Sequence, residues 1–291
     1  MFPRRQLAIE CSSFGGSVAL LEIAAEGQKS QIKRQITLST AMGSARTLAP
    51  SLEELLDLEE LLLSDLEFIS VTVGPGSFTG LRVGLTTVKM LGWAANKPIV
   101  PIGTLAATSR RFANELLAAE GQLAQNAAGQ RPIRLVTAIN AFRKQVFTNS
   151  WSISVSEAAG DGLLLRSVQT ARVMDASQWN ADPWGSDSIS RIPTADVGYV
   201  SDPSGWLWVT GNALASYPFP MPSLADSTQL RFAPAAWWVP MAEHVGELGW
   251  LEFSAGKAVS ADRLQPDYLR ASAAEEKVMK DKSVPGAPPP L

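Results

Sequence analysis

Residues 68–80, Phe-Ile-Ser-Val-Thr-Val-Gly-Pro-Gly-Ser-Phe-Thr-Gly, constrain the fold more tightly than any other stretch. Phe68 to Val73 carry no charge and are mostly β-branched or aromatic, the composition of a strand covered on both faces. Gly74-Pro75-Gly76-Ser77 reads as a type II turn, with Pro75 setting φ at the first corner and Gly76 taking positive φ at the second. Ser77 or Thr79 caps the helix that follows, and Leu81, Leu85 and Val88 begin its apolar face. Strand, turn and helix leave the amides of Ser77 to Gly80 facing whatever covers the turn. Two uses compete. The amides and helix dipole form an anion site with Arg82 as its charged wall, or the glycines only permit a sharp reversal. A dinucleotide fingerprint needs glycine where Thr79 stands, and a P-loop needs Gly-Lys-Ser/Thr after four spacers; neither is present.

Around this unit the chain alternates strands and helices. Residues 7–11 and 17–23 read as two strands joined through Gly15-Gly16, a hairpin signal. A third strand over 30–38 alternates charge, as an edge or half-exposed strand does. Ser51, with Glu54 three residues on, predicts a capped helix through Leu63, and 98–101 a short strand. The second half repeats the order: a helix over 104–119, strands at 133–139, 144–151 and 162–168, a helix near 175–180, a strand at 206–210, and a helix near 234–252. Residues 120–132 and 180–205 read as surface loops, and the proline-rich 271–291 as a disordered tail. Eight of the nine tryptophans fall between 151 and 250, which predicts an aromatic core for that half.

The motif Gly-Pro-Gly-Ser-Phe-Thr-Gly-Leu-Arg-Val-Gly, residues 74–84, resembles the signature of the bacterial TsaB (YeaZ) family. Leu-Ala-Ile-Glu-Cys-Ser-Ser at 7–13, Gly-Thr-Leu-Ala-Ala at 103–107, Ala-Ile-Asn-Ala-Phe-Arg-Lys-Gln-Val-Phe at 138–147 and Pro-Asp-Tyr-Leu-Arg at 266–270 resemble its other motifs, in the same order. The resemblance implies an α/β fold of two actin-like (RNase H-like) half-domains, each a mixed sheet with helices packed on it. These span 1–103 and 104–270. It also implies a non-catalytic dimerisation subunit in tRNA threonylcarbamoyladenosine synthesis, which activates the catalytic subunit TsaD and works with the ATPase TsaE. TsaD, or a second copy of the chain, would cover the two helices after the third strand, and tRNA would be met only through the complex. No tightly bound cofactor is implied; the joint between subunits is where ATP or ADP could sit, with Gly74, Pro75, Gly76, Ser77, Thr79, Gly80 and Arg82 at its rim.

Independent chemistry is poorly supplied. His244 is the sole histidine, on a predicted helix where a surface or capping role is expected, so zinc sites and histidine-based nucleophilic pairs lack parts. The resemblance places Glu10 where the family has Asp, Asn140 where it has Asp and Phe142 where it has Arg; an asparagine cannot supply the charge that holds a hard cation. Cys11, the only cysteine, reads as a buried small hydrophobe, and no residue is assigned to catalysis or metal. A net charge of −3 offers no broad basic footprint for nucleic acid. The lack of a signal peptide or long apolar run points to the cytoplasm and away from membranes.

The helices carry more apolar surface than one sheet covers. Leu52, Leu55, Leu56, Leu58, Leu61, Leu62 and Leu63 occupy more than half of one helix's circumference. On the next, Val83, Thr87, Met90 and Ala94 form a face beside that of Leu81, Leu85, Val88 and Gly92. Either the chain buries both helices itself, or Leu55, Leu58, Leu62, Val83, Thr87 and Met90 meet a partner. The competing function is a stand-alone actin-fold ATPase or phosphotransferase with phosphate on the Gly74–Thr79 turn.

Overall fold

The computed structural model describes residues 3–23, 30–119, 133–155, 163–181, 206–217 and 229–269. The expected loops at 120–132 and 180–205, the tail 271–291 and Arg270 of the closing motif lie outside them, save for Asn180 and Ala181 at the end of a helix.

Two mixed sheets repeat one plan. In the first, β1 (Arg4–Glu10), β2 (Ser17–Ile23) and β3 (Gln31–Thr37) run antiparallel, while β4 (Phe68–Gly74) and β5 (Ile99–Gly103) run parallel to β1, in the order β3-β2-β1-β4-β5. In the second, β6 (Ile133–Asn140), β7 (Gln145–Val155) and β8 (Leu163–Ser167) form the antiparallel side. There β10 (Trp206–Thr210) and β11 (Gln229–Phe232) run parallel to β6, and β9 (Arg172–Asp175) pairs with β7. This is the expected pair of half-domains, and β1 corresponds to β6 as β4 does to β10.

Period-2 alternation decides which residues face which layer. Leu7, Ile9, Leu20, Ile69 and Val71 pack under α1 (Ser44–Leu58) and α2 (Phe78–Ala95), meeting Leu48, Leu52, Leu55, Leu85 and Val88. Their neighbours Ala8, Ala19, Leu21, Phe68 and Val100 face the opposite side and pack against Ala242, Val245 and Trp250. Covered on both faces, β4 is buried throughout, as its uncharged run predicts. In the second half α3 (Thr104–Ala119) covers one face through Leu105, Phe112 and Leu116, while Trp179 on α4 (Ala176–Ala181) and Ala213 close the other. Trp151, Trp179, Trp208 and Trp250 are buried, so these tryptophans build core.

Several expectations fail for identifiable reasons. α1 starts at Ser44, after Gly43 at φ +73°, so Ser51 lies inside the helix and caps nothing. Pro50 is tolerated within it on an exposed face. The helix ends at Leu58, where Glu60 turns left-handed (φ 53°) and the Leu61 and Glu60 amides donate to the Leu56 and Asp57 carbonyls. Leu61, Leu62 and Leu63 therefore follow the helix, and the seven-leucine wheel does not exist. The last helix, α5 (Ala242–Ser254), is preceded by a separate short turn at Ala235–Trp237.

α5 also packs in the first half. Gln6 Nε2 donates to the Gly246 carbonyl at 2.7 Å, Val259 bridges Ile99, and Ala261 and Leu264 join the first core. A division of 1–103 from 104–270 thus misses the chain's return over 242–268. His244 is buried on this helix, because α5 lies against a sheet and not at the surface. The Arg110–Glu247 pair at 2.7 Å, with exposures of 0% and 7%, ties α3 to α5 where the halves meet, and Asn114 Nδ2 donates to the same Glu247 oxygen at 2.7 Å. Removing one partner strands a buried charge. Glu247→Ala is expected to lower stability by about 3–5 kcal/mol in urea unfolding, the cost of an uncompensated buried ion.

Candidate functional site

The glycine signature is a seat for the β1–β2 loop. β4 ends at Gly74 with φ +123°, the Gly74–Pro75 peptide is cis, and Ser77 caps α2 by accepting from the Gly80 amide at 3.2 Å. The reversal is therefore not the expected type II turn, since positive φ falls on Gly74 and not on Gly76. The Ser77 amide donates to the Ser12 carbonyl at 2.7 Å. A Cβ on Gly76 would stand 2.4 Å from that carbonyl, and one on Gly80 2.2 Å from the Cys11 carbonyl. Close approach of two backbones explains these glycines. Of the four amides expected to face a ligand, those of Ser77 and Gly80 are already bonded, so the turn does not fit a phosphate cradle. Behind it, the Asp267 amide donates to the Val73 carbonyl at 2.8 Å, which brings the closing motif onto the same turn.

Glu10 turns inward. Its carboxylate is buried and accepts from the Ser12 amide at 2.6 Å, the Ser12 hydroxyl, and the Ser13 hydroxyl at 2.5 Å. Burial pushes its pKa above the ordinary carboxylate value, and the hydrogen bonds from Ser12 and Ser13 offset part of that rise. Its acceptor capacity goes to its own loop, which leaves little for a cation. Cys11 is buried beside it, and burial first, then the Glu10 charge, push the thiol pKa up, so it supplies no thiolate. Among the described residues no group of three His, Cys, Asp or Glu could hold a metal ion. No helix among them is long and apolar enough to cross a membrane.

The outer side of the unit looks different. Arg82 lies over the Phe78 ring, its guanidinium carbon 3.9 Å from the centroid, with Nε 3.5 Å from the Tyr268 hydroxyl; all three side chains are exposed, as is Thr79. Further along α2, Met90 and Trp93 are 65% and 74% exposed, and Leu58 and Leu62, beyond the end of α1's buried face, are 53% and 71% exposed. Val83 and Thr87 are half-buried. Leu55 is fully buried between α1 and the sheet, so it is a core residue and not a candidate for a partner face. Trp93 was not among the expected residues; its spacing of three from Met90 on the outward stripe is the signal that marks it.

The corresponding loop in the second half is held differently. Asn140 accepts from the Phe142 amide at 2.8 Å, its own amide donates to Asn212 Oδ1 at 2.8 Å, and its Nδ2 donates to Ser216 Oγ at 3.0 Å. An aspartate could not make the last bond as donor, so asparagine serves here as a loop brace. Phe142, Arg143 and Lys144 follow with φ of 56°, 51° and 60°, a left-handed run that costs roughly 1–2 kcal/mol per residue.

The family model described as TsaD, tRNA N6-adenosine threonylcarbamoyltransferase, matches residues 39–150. A Haemophilus influenzae protein named tRNA threonylcarbamoyladenosine biosynthesis protein TsaB is 27% identical over 265 residues, 91% of this chain and 92% of that one. The Bacillus subtilis protein of the same name is 36% identical over 109 residues; the match spans 36% of this chain but only 45% of that relative's length. A Pseudomonas aeruginosa structure described by its similarity to peptidase YeaZ superposes with a TM-score of 0.62 at 23% identity, covering 92% of this chain and all of that one, and shares the fold.

Two measurements test the seat. Gly80→Ala is expected to destabilise by about 1–3 kcal/mol, because its methyl meets backbone that cannot yield. Because folding raises the Glu10 pKa, the folded chain binds that proton more tightly than the unfolded one. Stability relative to Glu10→Gln is therefore expected to fall as pH rises from the ordinary carboxylate value through the raised one. The signature turn and the doubled sheet plan lie in a chain that is similar to a TsaB protein over 91% of its length and shares the fold of a YeaZ-like structure.

Proposed function

We propose that this chain is the TsaB-type subunit of a cytoplasmic tRNA threonylcarbamoyltransferase complex, a scaffold that activates a TsaD-type catalytic subunit without doing the chemistry. The names of its relatives support the pathway. One observation carries the scaffold role: Leu58 at the end of α1, Leu62 just after it, and Met90 and Trp93 on α2 stay exposed, while Leu48, Leu52, Leu55, Leu85 and Val88 are buried in the core of the first sheet. Apolar side chains left out in this way mark contact surfaces, and tryptophan is enriched among the residues that dominate them. TsaD covers the face in the complex, a second copy covers it in the free protein, and TsaE joins through the assembled pair. Transfer chemistry and metal belong to TsaD, and tRNA is held by the complex. An ATP or ADP at the joint would meet Arg82 and Thr79, the exposed members of the rim, with its phosphates held by the partner.

The rival, a stand-alone ATPase, has against it the inward carboxylate of Glu10 and the bonded amides at Ser77 and Gly80. Replacing Leu62 or Met90 with glutamate is expected to abolish co-purification with TsaD while thermal unfolding of the chain, measured at dilution where it is monomeric, stays unchanged. Normal binding by both variants contradicts the scaffold role. The isolated chain is expected to hydrolyse no ATP above background; turnover that disappears in Glu10→Ala favours the rival.

A further inference from the structure

Phe142, Arg143 and Lys144 stand together at the β6–β7 turn, all exposed and all left-handed. Elsewhere the chain mostly meets positive φ with glycine, at Gly15, Gly16, Gly43, Gly74, Gly211 and Gly256. Glycine at any of the three positions would relieve the backbone and delete a side chain. Here the side chains are kept in spite of the conformation. Packing does not account for Phe142, which is 61% exposed.

The tip is also held firmly. Besides the Asn140 brace, the Gln145 amide donates to the Phe142 carbonyl at 2.9 Å and the Ala176 amide to the Lys144 carbonyl at 2.7 Å. A ring and two neighbouring cations are thus presented on fixed backbone. Asp175, the adjacent acid, accepts from Gln145 Nε2 at 3.0 Å.

We propose that this tip is a contact for single-stranded RNA, in which an unpaired base stacks on Phe142 and the flanking phosphates meet Arg143 and Lys144. Aromatic stacking needs a base face, which a duplex hides and a loop exposes. Two adjacent cations complement a phosphate backbone, whereas the chain's net charge of −3 repels RNA elsewhere, so the contact is local and weak by itself. The inference rests on the proposed function for one point only, that the RNA is a tRNA arm presented to the complex.

The test uses the full chain, alone and bound to TsaD, with a fluorescein-labelled RNA hairpin carrying an unpaired purine-rich loop and a blunt RNA duplex as probes. Anisotropy is expected to show tighter binding of the hairpin. Phe142→Gly is expected to weaken hairpin binding roughly tenfold, the loss of one stacked base, while raising the melting temperature because glycine suits the backbone. Arg143→Gln with Lys144→Gln is expected to flatten the salt dependence. The proposal is overturned if Phe142→Gly binds the hairpin as the natural chain does or melts lower, if hairpin and duplex bind alike, or if neither the chain nor its complex binds the hairpin. Displacement of the hairpin by polyglutamate as readily as by unlabelled hairpin also overturns it, because the tip would then recognise charge alone. Intact TsaD binding with no hairpin contact sinks this inference alone, whereas hairpin contact without TsaD binding sinks the subunit role alone.

Discussion

The hydrogen bond from the Ser77 amide to the Ser12 carbonyl, with the glycines that let it form, is the constraint on which the first half depends. It joins the end of β4 to the loop after β1, two parallel neighbours whose ends must meet for α2 to start where it does. Side chains at Gly76 and Gly80 would part the two backbones. Once α2 is seated, Leu81, Leu85 and Val88 are committed to the sheet, and the opposite stripe carrying Met90 and Trp93 is committed to the outside. An outward apolar face is thus a geometrical consequence of an inward glycine face.

The loops at this seat and at its counterpart in the second half spend polar groups on the chain itself. Here Glu10 folds back on Ser12 and Ser13, and Asn140 spends its side chain on Phe142 and Ser216. Polar groups at both corresponding positions stabilise backbone. Exposed apolar side chains on α2 and the aromatic-cationic β6–β7 tip are two surfaces suited to partners.

Much of this was legible in the residues. The uncharged run of β4, the Ser77 cap and the glycine hairpin between β1 and β2 are local chemistry, and each appears as read. The leucines after Ser51 were harder. Their count is real, but Glu60's left-handed turn ends α1 before Leu61 and removes the periodicity that counting assumed. Leu55 and Leu62 look equivalent in sequence; one faces the sheet and the other follows the helix end, a difference set by where α1 stops. The return of α5 to the first sheet was not legible at all, because an apolar helix face does not say which sheet it will meet. His244 is carried with α5 into that buried layer. Trp93, alone in the first half, lies exposed on the outward stripe, whereas Trp151, Trp179, Trp208 and Trp250 are core.

The outward α2 face can be examined directly by hydroxyl-radical footprinting of the chain alone and in complex with TsaD. Oxidation of Met90 and Trp93 is expected to be strong in the dilute free chain and largely suppressed in the complex, with the buried Trp179 low in both. If Met90 and Trp93 are oxidised equally in both states, the partner does not sit on this face and the scaffold reading fails.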